Sequence, residues 1–249
     1  LAAHPPRTIE VTLYGACPET YQRITGSPAH FDRTVRGIEL LVERGLEVRG
    51  KAVLLAPLVP EAGRLRELAR SLGIGVHLDA RVDPTLSGDR SPLALRADPQ
   101  QAVAAELDDP DRVEQLLLAH RMQLLRDRSQ AATPCGAGHS TFHLDPAGRL
   151  MPCMLVREPG IDASVQGFEA AWQELGEHER VAFSPDSPCR HCQIQYLCSQ
   201  CPGLERLDVT ARPNQAYHEC ELARLRARVL EQMLDDHLRL EGADERPPR

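Results

Sequence analysis

The apolar positions in the first eighty residues predict three short strands. Residues 8–13 alternate apolar and polar side chains with the two-residue period of a half-buried strand. Residues 48–55 are mostly apolar, as in a strand that is covered on both faces. Residues 74–78 form a third apolar run, and the chain from Gly15 to Gly26 is predicted to be a loop.

Two helices are predicted between these strands. In the first, apolar side chains recur at helical spacing from Phe31 to Val42, after a capping pair at Ser27–Pro28. The second runs from about Glu61 to Gly73, where glycine closes it. The order strand, helix, strand, helix, strand is typical of parallel βαβ units, so the predicted fold class is α/β, as a piece of a larger sheet.

The rest of the chain reads as helix, hairpin and helix. A loop over 79–98 precedes a helical stretch over 99–125, in which His120 lies among leucines and is expected to be an ordinary hydrogen-bonded histidine. Residues 141–153 predict a β-hairpin around the turn at 145–148. A short helix is expected over 166–177, and a terminal helix over 216–240 carries Cys220 near its beginning.

Composition and charge exclude several classes of function. The 249 residues carry a formal charge of −7, and the basic residues are scattered among acidic ones, which argues against nucleic-acid binding. The longest apolar run, over 52–59, is far shorter than the roughly 20 residues of a membrane span. Because no secretory signal is visible at the N-terminus, we expect a cytoplasmic location in which thiols stay reduced.

Seven of the eight cysteines form a pattern that indicates metal binding. Cys17 stands alone and is expected to have no chemical role. The pattern consists of Cys135, Cys153, Cys189, Cys192, Cys198, Cys201 and Cys220. Pairs separated by two residues can grip one metal or cluster from a single turn. The set therefore predicts metal ligands drawn from the hairpin, the cysteine-rich segment and the terminal helix.

The number of thiols favours iron–sulfur clusters over zinc. A structural zinc ion takes four ligands, whereas two cubane clusters can use four and three thiolates. Zinc remains the alternative, with His139, His143 or His191 completing a second site. A disulfide framework is disfavoured because the chain shows no secretory signal.

The cysteine spacing resembles that of the SPASM domain, the auxiliary-cluster extension of radical S-adenosylmethionine (SAM) enzymes. The matching residues are Cys135-x12-Gly148-x4-Cys153, then Cys189-x2-Cys192-x5-Cys198 with Cys201 behind it, then Cys220. The segment from Thr12 through Gly26 to Gly45 is similar to the middle of the radical SAM partial barrel. The resemblance implies part of a (β/α)6 barrel over residues 1–98, a linking helical region over 99–130, and a small α+β SPASM domain over 131–249.

The resemblance also implies a set of ligands and cofactors. Cys189, Cys192, Cys198 and Cys220 would hold the outer auxiliary [4Fe–4S] cluster. Cys135, Cys153 and Cys201 would hold the inner one, for which His139, His143 and Asp145 are candidate fourth ligands. Thr12 stands where the family often has a hydroxyl side chain that contacts SAM. The spacing of two residues between Cys198 and Cys201, where the family commonly has three, is a departure.

A larger departure concerns catalysis. The C-x3-C-x2-C motif that holds the catalytic cluster in this family does not occur in the sequence, so we expect the chain to be a C-terminal portion that is inactive alone. The expected function is to hold auxiliary clusters for electron relay or substrate binding in a peptide- or protein-modifying enzyme. The expected partners are a peptide or protein substrate, an N-terminal half or complete radical SAM enzyme, and an electron donor. A non-catalytic zinc- or cluster-stabilised binding module is the alternative.

Overall fold

The chain divides into two compact units. The structure is a computed structural model that describes residues 2–125, 136–178, 181–207 and 213–244, without the side chains of 124–125, 206–207, 213–217 and 235–244. The first unit comprises Leu1–Thr85 and Asp89–Gln115, and the second comprises Leu86–Gly88 and Leu116–Arg249.

A parallel three-stranded sheet forms the centre of the first unit. Its strands are β1 (Ile9–Thr12), β2 (Val48–Val53) and β3 (Gly75–Asp79), in the order β1-β2-β3. Thr12 pairs with Lys51, which in turn pairs with His77. The three predicted strands and their parallel βαβ order are confirmed.

Five helices accompany this sheet. They are α1 (Pro18–Thr25), α2 (Ala29–Glu43), α3 (Ala62–Ser71), α4 (Pro99–Leu107) and α5 (Pro110–Leu125). Short 3-10 turns lie at Val59–Glu61 and Ser91–Leu95. The division between the two units falls inside α5.

Burial alternates along β2, which contradicts the prediction that this strand is covered on both faces. Val48, Gly50 and Ala52 are buried, whereas the residues between them are exposed or half-buried. One face of the sheet therefore carries the core and the other carries polar side chains. The apolar residues at the end of the predicted strand lie beyond it, because Leu54 is the first residue of the loop that follows β2 and is fully buried.

Two helical predictions need correction. The predicted loop from Gly15 to Gly26 contains α1, which begins at Pro18 and ends before Gly26, a glycine in the left-handed region with φ 77°. The single helix predicted over 99–125 is two helices, α4 and α5, because Pro110 cannot continue the helix before it. In addition, α2 begins at Ala29 after Pro28, without a side-chain cap from Ser27.

In its described residues, the second unit contains a small antiparallel sheet, the end of α5 and four further helices. Its strands are β4 (His143–Leu144), β5 (Arg149–Met151) and β6 (Ile161–Asp162), in the order β4-β5-β6. The predicted hairpin is confirmed as β4 and β5. The third strand, β6, was missed because two residues are too short to show a period. The helices are α6 (Ala163–Gln166), α7 (Phe168–Glu177), α8 (Pro202–Leu207) and α9 (Pro213–Asp244).

One apolar cluster packs the small sheet against α7, and a second lies around Cys153. Leu150 and Ile161 of the sheet pack against Ala171 and Leu175 of α7, with Trp172 beside them. A second cluster of Ala137, Val156 and Val181 packs against Cys153. No helix in the described part of the chain has both the length and the apolar character of a membrane span.

Candidate metal centre

The segment from Cys189 to Cys198 is built from two tight turns. A 3-10 turn over Pro188–His191 is capped by Ser187, whose hydroxyl accepts a hydrogen bond from the Cys189 N–H at 3.2 Å. A second 3-10 turn spans Gln195–Leu197, and the Cys198 N–H closes it by donating to the Gln195 carbonyl at 2.9 Å. Proline, serine and short 3-10 turns are typical of a compact loop, and the three thiols on this loop are half-buried.

Helix α9 carries the fourth thiol to this segment. Arg226, which is 3% exposed, donates from Nη1 to the Leu197 carbonyl at 2.7 Å. About two turns earlier on the helix, the Glu219 carbonyl accepts from the Cys198 Sγ at 3.7 Å. These two bonds fasten the second turn to the helix on both sides of Cys220.

The four thiols Cys189, Cys192, Cys198 and Cys220 influence one another electrostatically. Burial raises the pKa of Cys189, and the neighbouring Cys220 and Cys192 raise it further, against the hydrogen bond from Ser187. Burial raises the pKa of Cys198 to about 12; the Gln200 N–H, 3.4 Å from its Sγ, lowers it, and Glu219, Cys220 and Cys189 add to the rise.

The pKa of Cys220 is also raised, chiefly by burial. The Arg224 guanidinium opposes this rise, while Cys192 and Glu219 add to it. Half-buried thiols that repel one another as thiolates need a cation nearby before they ionise. A bound metal or iron–sulfur cluster supplies that positive charge.

The four thiols match a four-thiolate group in number and type. They come from two places in the sequence, the cysteine-rich segment and α9, and are half-buried thiols, not disulfides. A [4Fe–4S] cluster takes four cysteine thiolates. In the part of the chain that the structure describes, however, no three or more His, Cys, Asp or Glu side chains are arranged as a site for a metal ion, so the match is in the ligands and not in their geometry.

The second predicted ligand set is only partly visible. Cys135 lies outside the described residues. Cys153 follows β5, and its Sγ accepts a hydrogen bond from the Val156 N–H at 3.3 Å. Cys201 directly precedes α8, where its carbonyl accepts from the Glu205 N–H at 3.1 Å. Both thiols are half-buried.

The structure gives Asp145 a role in a turn. Its Oδ1 accepts from the backbone N–H groups of Ala147 and Arg149, at 2.9 and 3.0 Å. The hydrogen bond from Arg149 is the main cause that lowers the pKa of this carboxyl. His143 lies on β4 opposite Met151, and His139 and His191 lie in turns outside the strands.

The prediction for His120 is confirmed. Its Nδ1 lies 2.7 Å from the Tyr196 hydroxyl, within the turn that precedes Cys198. The histidine is therefore hydrogen-bonded and holds the cysteine-rich segment against α5.

Thr12 lies on the polar face of the first unit's sheet. It is the last residue of β1, it is exposed, and its register neighbours across the sheet are Lys51 and His77. In the described part of the chain, none of these three side chains makes a hydrogen bond or an ion pair. Sequence analysis missed Lys51 and His77, although Lys51 is the only lysine in the chain and alternates with buried neighbours.

Comparisons with known proteins agree with the general resemblance. No protein-family model matches the chain. The chain is 22% identical over 223 residues to the AdoMet-dependent heme synthase of Methanosarcina barkeri (strain Fusaro / DSM 804), which covers 81% of this chain and 64% of the relative. It is similar in fold to the crystal structure of Streptococcus suis SuiB, with a TM-score of 0.52 and 15% identity over 77% of this chain and 49% of that one.

The chain thus spans less than two thirds of either protein. The similarity to an AdoMet-dependent enzyme and the shared mixed α/β fold support the radical SAM resemblance of the sequence.

Proposed function

We propose that the chain is the auxiliary-cluster portion of a radical SAM protein of the SPASM type. Residues 131–249 would form the SPASM domain, residues 1–98 would contribute part of the barrel wall, and residues 99–130 would link them. The domain would bind [4Fe–4S] clusters that relay electrons or bind substrate.

One observation supports the proposal: the cysteine-rich segment and α9 bring four half-buried thiols within electrostatic reach of one another. In this proposal Cys189, Cys192, Cys198 and Cys220 hold one cluster. Such a cluster supplies one-electron redox chemistry when bound. The chain itself supplies the thiolates, the burial and the N–H groups that bond to sulfur, as Gln200 does to Cys198.

A second cluster is proposed on Cys135, Cys153 and Cys201. The N–H···S bond from Val156 to Cys153, at 3.3 Å, is of the kind that backbone amides make to the sulfur ligands of a cluster. With three thiolates the fourth position belongs to another ligand, and Asp145 is a weak candidate because its carboxylate is used in the turn.

Thr12 is proposed to contact SAM. Lys51 lies beside it in the register and presents an ammonium group, which is the natural partner for the carboxylate of SAM's methionine moiety. SAM chemistry requires the catalytic cluster, for which this sequence has no C-x3-C-x2-C motif. An N-terminal half or a complete radical SAM enzyme would supply it, together with an electron donor.

The substrate class is proposed to be a peptide or a protein side chain, as the SPASM resemblance implies. The heme synthase relative makes a tetrapyrrole the competing class. Binding of a labelled peptide library and of a soluble porphyrin to the reconstituted chain, measured side by side, would choose between them.

Anaerobic reconstitution with iron and sulfide tests the cluster proposal. About eight irons per chain and a broad absorption near 400 nm are expected for two clusters, at about four irons each. The variant Cys198→Ala should lose about half of the iron, because it removes one ligand of a four-thiolate site. Cys17→Ala is the matched control, since Cys17 lies in the first unit, and its iron content should equal that of the unmodified chain.

Other outcomes would contradict the proposal. Uptake of one or two zinc ions without the 400 nm absorption would favour the zinc-stabilised binding module. Equal iron loss in Cys17→Ala and Cys198→Ala would show that the iron is bound nonspecifically.

A further inference from the structure

The antiparallel sheet of the second unit is covered by α7 over only part of one face. Leu150 of β5 and Ile161 of β6 are buried against this helix. Leu144 of β4 pairs with Leu150, and the side chains of paired residues point to the same face, so Leu144 also lies on the side of α7. It is nevertheless 48% exposed. Helix α7 therefore covers β5 and β6 and leaves the apolar side chain of β4 open to solvent.

Three aromatic rings extend this open area. Phe142 lies two residues before Leu144, on the same side of the chain by alternation, and is 47% exposed. Its ring centroid is 5.1 Å from that of Phe168 and 5.6 Å from that of Trp172, both on α7. Phe168 is equally exposed, and Trp172 is half-buried. We call these three rings and Leu144 the β4 surface, since contiguous exposed apolar side chains commonly mark interaction sites.

The edge of the sheet is also open beside the β4 surface. Among the described strands, β4 is the outer one in the order β4-β5-β6 and pairs only with β5. An edge strand presents backbone N–H and C=O groups, to which an extended segment of another chain can add as a further strand. Such a segment would place every second side chain over the β4 surface. A helix would cover the rings but would not pair with the backbone of β4.

The charges near the β4 surface favour a basic occupant. Helix α7 carries Glu169, Glu174 and Glu177 and no lysine or arginine. Arg149, the basic residue of β5, lies on the opposite face of the sheet by alternation, and its Nη2 is 3.2 Å from Glu158. Aromatic faces attract cations. A second copy of the chain would instead bring its own acidic α7 to the same place, and like charges repel.

We propose that the β4 surface binds an extended polypeptide segment of a partner, in which an apolar residue and a lysine or arginine lie two residues apart. The apolar side chain contacts Phe142 and Leu144, the basic side chain faces the rings and carboxylates of α7, and the backbone pairs with β4. The inference goes beyond the proposed function, because it requires neither an iron–sulfur cluster nor SAM.

The test is a titration of the full chain with a synthetic eight-residue peptide. Every second residue of the peptide is serine, and the residues between are alternately leucine and lysine, so that an extended chain carries leucine and lysine on one face. Trp172 is the only tryptophan in the sequence, and its fluorescence therefore reports binding at the β4 surface. We expect a saturable change in this emission. Binding should weaken by at least about tenfold when glutamate replaces lysine in the peptide.

Variants of the chain locate the binding. Phe142→Ser should weaken binding of the lysine peptide by at least about tenfold, because truncation of an aromatic contact in an interface commonly has an effect of this size. Leu144→Ser should also weaken it and leaves the ring contacts in place. Leu118→Ser is the matched control, since Leu118 is an exposed leucine on α5, and its binding should equal that of the unmodified chain. Thermal unfolding followed by circular dichroism checks that all three variants are folded.

Several results would overturn the inference. They are the absence of a saturable change in Trp172 emission, equal binding of the lysine and glutamate peptides, and equal weakening in Leu118→Ser and Phe142→Ser. Sedimentation of a dimer that becomes monomeric in Phe142→Ser would also overturn it, because the β4 surface would then belong to a second copy. A chain that takes up no iron but binds the peptide as expected would contradict the proposed function and support this inference.

Discussion

At the scale of single residues, Glu61 organises the loop after β1. It is 8% exposed, and its carboxylate accepts from the Ala16 N–H at 2.9 Å and from the Thr20 hydroxyl, with Arg23 at 3.6 Å. The carboxyl ends of parallel strands are where ligands bind in α/β sheets, so this loop lies at the functional edge of the sheet.

Removing the Glu61 carboxylate should destabilise the folded protein. We expect Glu61→Ala to lower the free energy of unfolding by about 1–3 kcal/mol, because it leaves buried donors without an acceptor. Urea denaturation followed by circular dichroism measures the change. Glu67→Ala, an exposed position on α3, should change it by less than about 0.5 kcal/mol. Equal effects of the two variants would contradict this role for Glu61.

A second prediction about a single residue concerns Arg226. Its buried guanidinium fastens the turn before Cys198 to α9, so Arg226→Met should loosen the four-thiol site. We expect the reconstituted variant to release iron faster to a chelator, by about tenfold if roughly 1.4 kcal/mol of site stability is lost. Arg228→Met, at an exposed position one half-turn further along α9, should release iron at the unmodified rate. An unchanged rate of iron release in Arg226→Met would contradict this role of Arg226.

At the scale of elements, β2 leaves little room for a side chain at Gly50. A Cβ at this position would lie 3.2 Å from a methyl group of Leu13, the residue after β1, and 3.2 Å from a methyl group of Val76 on β3. Gly50→Val should therefore lower stability by about 1–3 kcal/mol through overpacking. In contrast, nothing lies within 4 Å of a Cβ at Gly37 in α2, so Gly37→Ala should raise stability by about 0.5–1 kcal/mol. Thermal unfolding of both variants checks these opposite signs.

The elements that could be predicted from the sequence are those with a long period or a spaced motif. The parallel strands and α2, α3 and α9 each extend over enough residues to show their periodicity. Helix α1 was missed although Pro18 and Gly26 mark its ends, because its apolar side chains are too few to show a stripe. The pairing of β6 with β5 depends on tertiary contacts of Ile161, which no local pattern reveals.

The candidate site, too, could be predicted from the sequence only in part. Spacing alone indicated that seven cysteines act as metal ligands, because pairs separated by two residues have a geometric meaning in any fold, whereas the grouping of Cys189, Cys192, Cys198 and Cys220 came from the SPASM resemblance. Spacing could not indicate Glu219 or Arg226, since their importance lies in burial and in contacts across 21 and 29 residues of chain. The row of Thr12, Lys51 and His77 could likewise not be predicted, because it depends on the register of three strands.

At the scale of the whole molecule, the two units should respond differently to cluster binding. A ligand that binds only the folded state stabilises the part that it contacts, by an amount that grows with the ratio of its concentration to its dissociation constant. The four thiols all belong to the second unit, whereas the parallel sheet and its core belong to the first. The rate at which backbone amides in each unit become open to solvent depends on the stability of that unit.

Hydrogen exchange measured by mass spectrometry can resolve this difference. Reconstitution should slow exchange by at least about tenfold in peptides that cover 187–201 and 218–230, because a cluster joins both segments and ties their hydrogen bonds together. Peptides from β1, β2 and β3 should exchange at the same rate with and without the cluster. Protection confined to the first unit, or equal throughout the chain, would contradict the placement of the metal centre on α9 and the cysteine-rich turns.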